Sequence, residues 1–235
     1  MILFARFATM FSFLILNLSA WDGELTKELK QRSDNFSQKA PPEKKKLYQE
    51  ATNTLAKNHP FSSIPNTGEK MRDGTIYINQ EEKSLASFWQ DGWLIITFYR
   101  GGWCPYCIIE LKAYEKLKSE FESLGATILA ISPETEAEIQ NTKMKAKIDL
   151  IIGSDKNNTL AKKLGLAFTL PENIIASYRE FGLDLAKNQG SQGSELPIPA
   201  TFVIDPSGTV RFMQAEADYT KRADPEEILV MLRLL

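Results

Sequence analysis

Cys104 and Cys107 are the residues of this 235-residue chain whose type and spacing point most directly to chemistry. They are its two cysteines, and both stand in the segment FYRGGWCPYC, which spans Phe98 to Cys107. At the start of a helix, unpaired backbone N–H groups and the positive end of the helix dipole favour a thiolate. Two intervening residues place Cys107 about one turn below Cys104, close enough for the two sulfurs to bond. We therefore predict thiol-disulfide chemistry in which Cys104 attacks and Cys107 resolves.

The residues around the pair fit a reactive thiol. Gly101 and Gly102 leave the approach open and permit unusual backbone torsions, and Trp103 supplies a flat apolar wall. Arg100 adds positive charge near the thiolate, and Pro105 suits the first turn of a helix.

A second feature lies late in the chain, where Ile198-Pro199 directly precedes an apolar, β-branched segment. We expect a cis peptide bond at Pro199, which would bring backbone without an N–H group beside the two cysteines. A trans proline in a loop is the alternative.

The alternatives to redox chemistry are an inert disulfide, two buried thiols, or a metal site shared with another chain. Two cysteines cannot alone supply the three or four ligands of a structural zinc, so we expect no metal and no cofactor. The single histidine, His59, lies far upstream and is expected to be an ordinary solvated loop residue.

The elements that must position the cysteines alternate between strand and helix. Trp93 to Tyr99 is a continuous apolar run, typical of a strand buried on both faces at the centre of a sheet. A helix opened by Pro105 follows and is stopped by Gly125. Further strands are predicted at 126–131, 150–152, 200–204 and 209–213, and further helices at 134–147, 158–164, 172–187 and from 225 onward. This order predicts an α/β fold with a central mixed sheet flanked by helices.

The first twenty residues have the layout of a secretory signal peptide. One positive charge, Arg6, precedes the apolar stretch from Phe7 to Leu18, and Ala20 is a small residue before a cut. An uncleaved N-terminal helix is the alternative. We expect export to the periplasm or the cell exterior if residues 1–20 are removed, and a cytoplasmic protein otherwise.

Three regions follow from this organisation. Residues 1–20 are the predicted signal peptide, and residues 21–60 are a polar, helix-prone appendage interrupted at Pro41-Pro42. Residues 61–235 form the predicted main domain, which opens with turn residues and a short strand at Thr75 to Ile78.

Composition narrows the class of partner. Lys and Arg number 28 against 30 Asp and Glu, giving a net charge of −2, which disfavours a nucleic-acid partner. After residue 20 no segment approaches the roughly 20 apolar residues of a membrane span, so no stable span is expected once the signal is removed.

FYRGGWCPYC, the helix after it and PIPATFVIDPSG (Pro197 to Gly208) resemble the peroxiredoxin-like branch of the alkyl hydroperoxide reductase and thiol-specific antioxidant family. The resemblance runs from residue 24 to residue 235 and includes APPEKKKLY, Ala40 to Tyr48. It implies a thioredoxin-like fold and reduction of hydrogen peroxide or organic hydroperoxides at Cys104. It also implies a disulfide with Cys107 that a thioredoxin-like donor reduces again.

Three positions depart from that family's pattern. Thr97 and Gly101 stand where a standard peroxiredoxin has Pro and Thr or Ser, so the hydroxyl that orients peroxide is missing. Pro199 stands where such enzymes carry an Arg, for which Arg100 and Arg211 are the candidate replacements.

Two other functions therefore stay open. The C-P-Y-C sequence and Pro199 are similar to those of thioredoxins and related thiol-disulfide reductases, which would act on protein disulfides. The remaining alternative is a non-catalytic binding module whose thiols sense redox state.

Overall fold

The computed structural model describes residues 23–235, so the predicted signal peptide lies outside the described part of the chain. Within that part, none of the helices has the length and apolar character needed to cross a lipid bilayer.

A seven-stranded mixed sheet forms the centre of the protein. Its strands and those of a small second sheet are β1 (Thr75–Ile78), β2 (Glu81–Ser84), β3 (Trp93–Phe98), β4 (Ala126–Ser132), β5 (Ile151–Ser154), β6 (Ala167–Thr169), β7 (Glu195–Pro197), β8 (Ala200–Ile204) and β9 (Val210–Ala215). The strand order is β2-β1-β5-β4-β3-β8-β9, while β6 and β7 pair separately as an antiparallel ribbon. In the large sheet β3, β4 and β5 run parallel and the outer strands run antiparallel to their neighbours, as the strand-helix alternation predicts.

Eight helices surround the two sheets in the described part of the chain. They are α1 (Glu24–Lys39), α2 (Pro42–Asn58), α3 (Pro105–Ser123), α4 (Glu136–Ala146), α5 (Thr159–Lys163), α6 (Glu172–Glu180), α7 (Leu185–Gln189) and α8 (Pro225–Arg233). The chain breaks between α1 and α2 at Pro41-Pro42, as predicted, because proline lacks the N–H group that would continue the first helix.

The single helix predicted at 172–187 is wrong, since two helices occupy this segment. Gly182 takes a left-handed conformation with φ of +77°, which ends α6. The Leu183 N–H then donates back to the Tyr178 carbonyl at 3.0 Å, and Asp184 caps α7 by accepting from the Lys187 N–H.

Three strands were not predicted. Strand β2 has the sequence EEKS and is mostly exposed at the sheet edge, so it carries no apolar signal. Strands β6 and β7 have three residues each, which is too short for an alternating pattern.

The central strand β3 divides the core into two layers. Ile95 packs with α3 and α8 on one face, whereas Leu94, Ile96 and Phe98 pack with α5 and its flanking loops on the other. Burial on both faces explains the continuous apolar run, and it fixes the point at which the chain leaves the sheet for α3.

Helix α1 completes the first layer by burying Leu25 and Leu29 against it. Helix α2 contributes Leu47, Tyr48 and Ala51 to a third cluster centred on α6. The two N-terminal helices therefore pack against different clusters of the main body.

Replacing Leu29 by Ala should lower the free energy of unfolding by about 2–4 kcal/mol, because Leu29 is 5% exposed and leaves a cavity. Val230→Ala, at a position that is 41% exposed, should cost less than about 0.5 kcal/mol. Urea unfolding of both variants and of the unmodified protein measures these changes in the free energy of unfolding. Equal, small losses would contradict docking of α1 on the core.

Candidate active site

Both cysteines lie where β3 gives way to α3. Cys104 is the N-cap residue of α3, Pro105 occupies the first turn, and the Cys104 N–H donates to the Gly101 carbonyl at 3.0 Å. The cysteines are free thiols and buried, with 1% of Cys104 and none of Cys107 exposed. The sequence predicted that the pair lies at the N-terminal, positive end of a helix, and the structure places both cysteines there.

Two buried arginines supply the positive charge around the sulfurs. Burial alone would raise the pKa of the Cys104 thiol. The hydrogen bond from the Cys107 side chain and the charges of Arg100 and Arg222 outweigh burial and bring this pKa down to about 5. The pKa of Cys107 moves the other way, well above its usual value, because of burial and of the neighbouring Cys104. The site therefore holds one thiolate and one thiol at neutral pH.

Arg222 is anchored by a fully buried carboxylate. Its Nε donates to Glu110 Oε2 at 2.7 Å, and its Nη2 donates to Cys107 Sγ at 3.4 Å. Thr97 Oγ1 donates to the other Glu110 oxygen at 2.9 Å. Burial raises the pKa of Glu110 to about 7, against the lowering effect of Arg222. This chain of contacts ties the deeper sulfur to the central strand.

Arg100 is held mainly by aromatic rings. Its guanidinium carbon lies 4.3 Å from the centre of the Tyr219 ring, 5.0 Å from that of Trp103 and 5.9 Å from that of Tyr178. Its Nη2 donates to the Tyr178 hydroxyl at 2.5 Å. Cation–π contacts orient the guanidinium without neutralising it, so its charge stays available to an anion nearby.

The loop before Cys104 needs both of its glycines. Gly101 has φ of +150°, and a Cβ there would lie 2.2 Å from Trp103 Nε1. A Cβ on Gly102 would lie 1.8 Å from Thr142 Oγ1, because α4 approaches the loop closely. Gly101 is therefore required for its backbone torsion, and Gly102 for the close packing of the loop against α4. The expectation that Gly102 leaves the approach to the sulfur open is wrong, because Thr142 occupies that space.

A buried carboxylate, Glu134, holds the loop that precedes Cys104 in place through hydrogen bonds. Its Oε2 accepts the Gly102 N–H at 2.9 Å and the Tyr99 hydroxyl at 3.3 Å, and its Oε1 accepts from Asn188 Nδ2 at 3.1 Å. Burial raises the pKa of Glu134, and these donors oppose the rise.

The expected cis bond at Pro199 is wrong, since residues 23–235 contain no cis peptide. A trans bond is the favoured form of an X-Pro peptide. The Ile198 N–H, just before Pro199, donates to the Leu166 carbonyl at 2.8 Å and so extends the pairing of β6 with β7. Pro199 nevertheless lies near the site, because the next residue, Ala200, pairs with Phe98 at the end of β3.

Of the two arginines considered as replacements for the family's missing one, Arg100 is placed at the sulfurs. Arg211 is not, because it forms an ion pair with Asp205 at 2.6 Å and its side chain is 49% exposed. His59 is half-buried rather than freely solvated, with Nε2 2.7 Å from the Gly165 carbonyl oxygen.

Sequence reasoning missed Arg222, Glu110 and Glu134. One signal was present, since Glu110 falls on the inner face of α3 beside Leu111, where an unpaired carboxylate would be costly. Such a position implies a buried cationic partner, but nothing in the pattern identifies Arg222, which is distant in the sequence.

Comparison with known proteins gives a consistent result. A family model described as the AhpC/TSA family matches residues 67–213. A peroxiredoxin of Ignicoccus hospitalis is 25% identical over 154 residues, covering 63% of this chain and 56% of that protein. Peroxiredoxin 2 of Sulfurisphaera tokodaii is 21% identical over 156 residues, covering 64% and 63%. The chain thus spans less than two thirds of the length of these curated relatives.

Solved structures share the fold. The peroxidoxin BcpB of Mycobacterium tuberculosis aligns with 73% of this chain and 98% of its own, at a TM-score of 0.56 and 20% identity. Reduced Prx3 of Vibrio vulnificus aligns over 72% of this chain and 99% of its own, at a TM-score of 0.58 and 15% identity. The predicted α/β, thioredoxin-like fold is confirmed.

Replacing Arg100 by Gln should raise the pKa of Cys104 by about one unit, because it removes a nearby positive charge. The pH dependence of iodoacetamide alkylation of the reduced protein measures the midpoint. Arg211→Gln is the matched control, and its profile should coincide with that of the unmodified protein. An unchanged Arg100→Gln profile would contradict the charge assignment.

Proposed function

Because this chain belongs to the AhpC/TSA family, we propose that it is a thiol-dependent peroxidase whose peroxide-reducing residue is Cys104. The observation that carries the proposal is the placement of Cys104, which is buried at the N-terminus of α3 beside two buried arginines, Arg100 and Arg222. This placement lowers the pKa of its thiol to about 5. A thiolate is the sulfur form that attacks peroxides, and this one persists at neutral pH.

In the first step the Cys104 thiolate attacks the distal oxygen of a hydroperoxide. The O–O bond breaks, Cys104 becomes a sulfenic acid, and the departing oxyanion takes a proton from solvent to leave as water or an alcohol. Arg100 and Arg222 are the positive groups around the sulfur, and they offset the charge that moves onto the departing oxygen.

In the second step the Cys107 thiol attacks the sulfenic sulfur. A Cys104-Cys107 disulfide forms, and the sulfenic oxygen leaves as water with the Cys107 proton. The raised pKa of Cys107 supports this assignment, because a protonated second sulfur does not compete with Cys104 for the peroxide. A thioredoxin-like dithiol then reduces the disulfide and becomes oxidised itself.

The missing hydroxyl at Gly101 separates this site from a standard peroxiredoxin. Thr97 does not replace it, since its hydroxyl is engaged by Glu110. We infer that Arg100 orients the peroxide in place of that hydroxyl. Arg222 contributes its charge only, because its donors are engaged by Glu110, Cys107 and two backbone carbonyls.

A thiol-disulfide reductase is the second candidate, and the C-P-Y-C sequence favours it. Attack on a protein disulfide requires the sulfur to reach another protein in line with its S–S bond. Cys104 is only 1% exposed, which favours a small substrate over a protein one.

We also propose export, supported by the pattern of residues 1–20. An oxidising compartment would then require a dedicated donor to keep Cys104 reduced, because a C-x-x-C pair stays oxidised there otherwise.

With a thioredoxin system, the purified protein should consume hydrogen peroxide or cumene hydroperoxide, and Cys104→Ser should reduce consumption to background. Cys107→Ser should leave a sulfenic acid on Cys104 that dimedone traps. Mass spectrometry of the adduct and NADPH oxidation measure the two effects.

The same preparation tested for insulin reduction separates the candidates. Rapid insulin reduction without peroxide turnover would establish the reductase and contradict the peroxidase. Absence of both activities would favour a redox-sensing module. Dimedone labelling at Cys107 in the Cys104→Ser variant would reverse the roles of the two sulfurs.

A further inference from the structure

A cavity of about 210 Å³ opens beside the Cys104 site. Its apolar walls come from α2, which supplies Ala51 and Leu55, from α6, which supplies Ile174, and from Phe168. Helix α2 lies before the segment that matches the family model, so part of this wall belongs to the chain's own N-terminal region. An apolar cavity of roughly 150 Å³ is large enough to bind benzene, so this one accommodates a somewhat larger apolar body.

The cavity also contains a buried cation. Arg100 lines it, although the residue is only 5% exposed. Within residues 23–235, Nη2 is the only Arg100 nitrogen that donates a hydrogen bond, and the residue forms no ion pair with a carboxylate. Its Nε is buried without a partner. A buried guanidinium with free N–H groups in an apolar cavity has the chemistry that recognises an anionic group on an apolar ligand.

We propose that this cavity binds a monocarboxylate with an apolar body, whose carboxylate pairs with the guanidinium of Arg100. The planar guanidinium presents N–H donors in parallel pairs along its Nη1–Nη2 and Nε–Nη2 edges, and such a pair matches the two oxygens of a carboxylate. The apolar body lies against Ala51, Leu55 and Ile174. This proposal does not require peroxidase activity, although the cavity shares Arg100 with the Cys104 site.

Binding is coupled to the state of Cys104, because the thiolate and the ligand share Arg100. In the reduced protein the Cys104 thiolate already interacts with Arg100, so a second negative charge is disfavoured. In the disulfide form that thiolate charge is gone, and no carboxylate among residues 23–235 forms an ion pair with Arg100. The disulfide form therefore binds the carboxylate more tightly, and by linkage the carboxylate favours the disulfide form.

Isothermal titration calorimetry with octanoate and 1-octanol tests the site, using the full chain oxidised to the disulfide. The two probes share an eight-carbon chain and differ in the carboxylate. Octanoate should bind at least about tenfold more tightly than octanol, the amount expected for a charged hydrogen-bonded pair. It should also bind the reduced protein more weakly than the oxidised protein.

Two pairs of variants locate the site. Ala51→Trp fills the cavity and should abolish octanoate binding, whereas Ala56→Trp places the same ring on the exposed side of α2 and should leave binding unchanged. Arg100→Gln should weaken octanoate binding at least about tenfold, while Arg100→Lys should retain part of it.

Equal affinities for octanoate and octanol would overturn the role of Arg100. Octanoate binding that survives Ala51→Trp would overturn the location. If Arg100→Gln does not fold, the probe pair and the Ala51 and Ala56 variants still decide the question. Peroxide turnover without octanoate binding would refute this site and leave the proposed function intact.

Discussion

The site depends on keeping one negative charge at a place that water hardly reaches. A thiolate as buried as Cys104 loses almost all of its hydration, and burial by itself favours the neutral thiol. The protein replaces that hydration with Arg100, Arg222, the Cys107 side chain and the start of α3. The rest of the structure serves to hold these groups, because each of them would be costly to bury without the others.

The two arginines are secured by different means. Arg222 is paired with Glu110, itself fixed to the central strand by Thr97, so its position follows from the sheet. Arg100 is surrounded by aromatic rings and lacks a carboxylate partner among the described residues, so its charge is directed at the sulfur and at the adjoining cavity. This difference makes Arg222 a fixed part of the scaffold and makes Arg100 the cation that can also bind a ligand.

Local sequence signals were sufficient to predict the strand and the helix that position the cysteines. The apolar run of β3, Pro105 at the helix start and the C-x-x-C spacing predict the strand, the helix and the sulfurs' positions, because each depends on neighbouring residues. Contacts between distant segments were not predictable in this way. Arg222 joins Glu110 across 112 positions, and the small ribbon pairs β6 with β7, which are also distant in the sequence. The split between α6 and α7 was missed because Gly182 interrupts a pattern that otherwise continues.

The most direct test is an ultraviolet titration of thiolate absorbance in the fully reduced protein, with Cys104→Ser as the reference. We predict a single ionisation with a midpoint near pH 5 that disappears in Cys104→Ser, and no second ionisation below pH 9. A first midpoint above pH 8, or a low midpoint that persists in Cys104→Ser, would contradict a buried thiolate at Cys104.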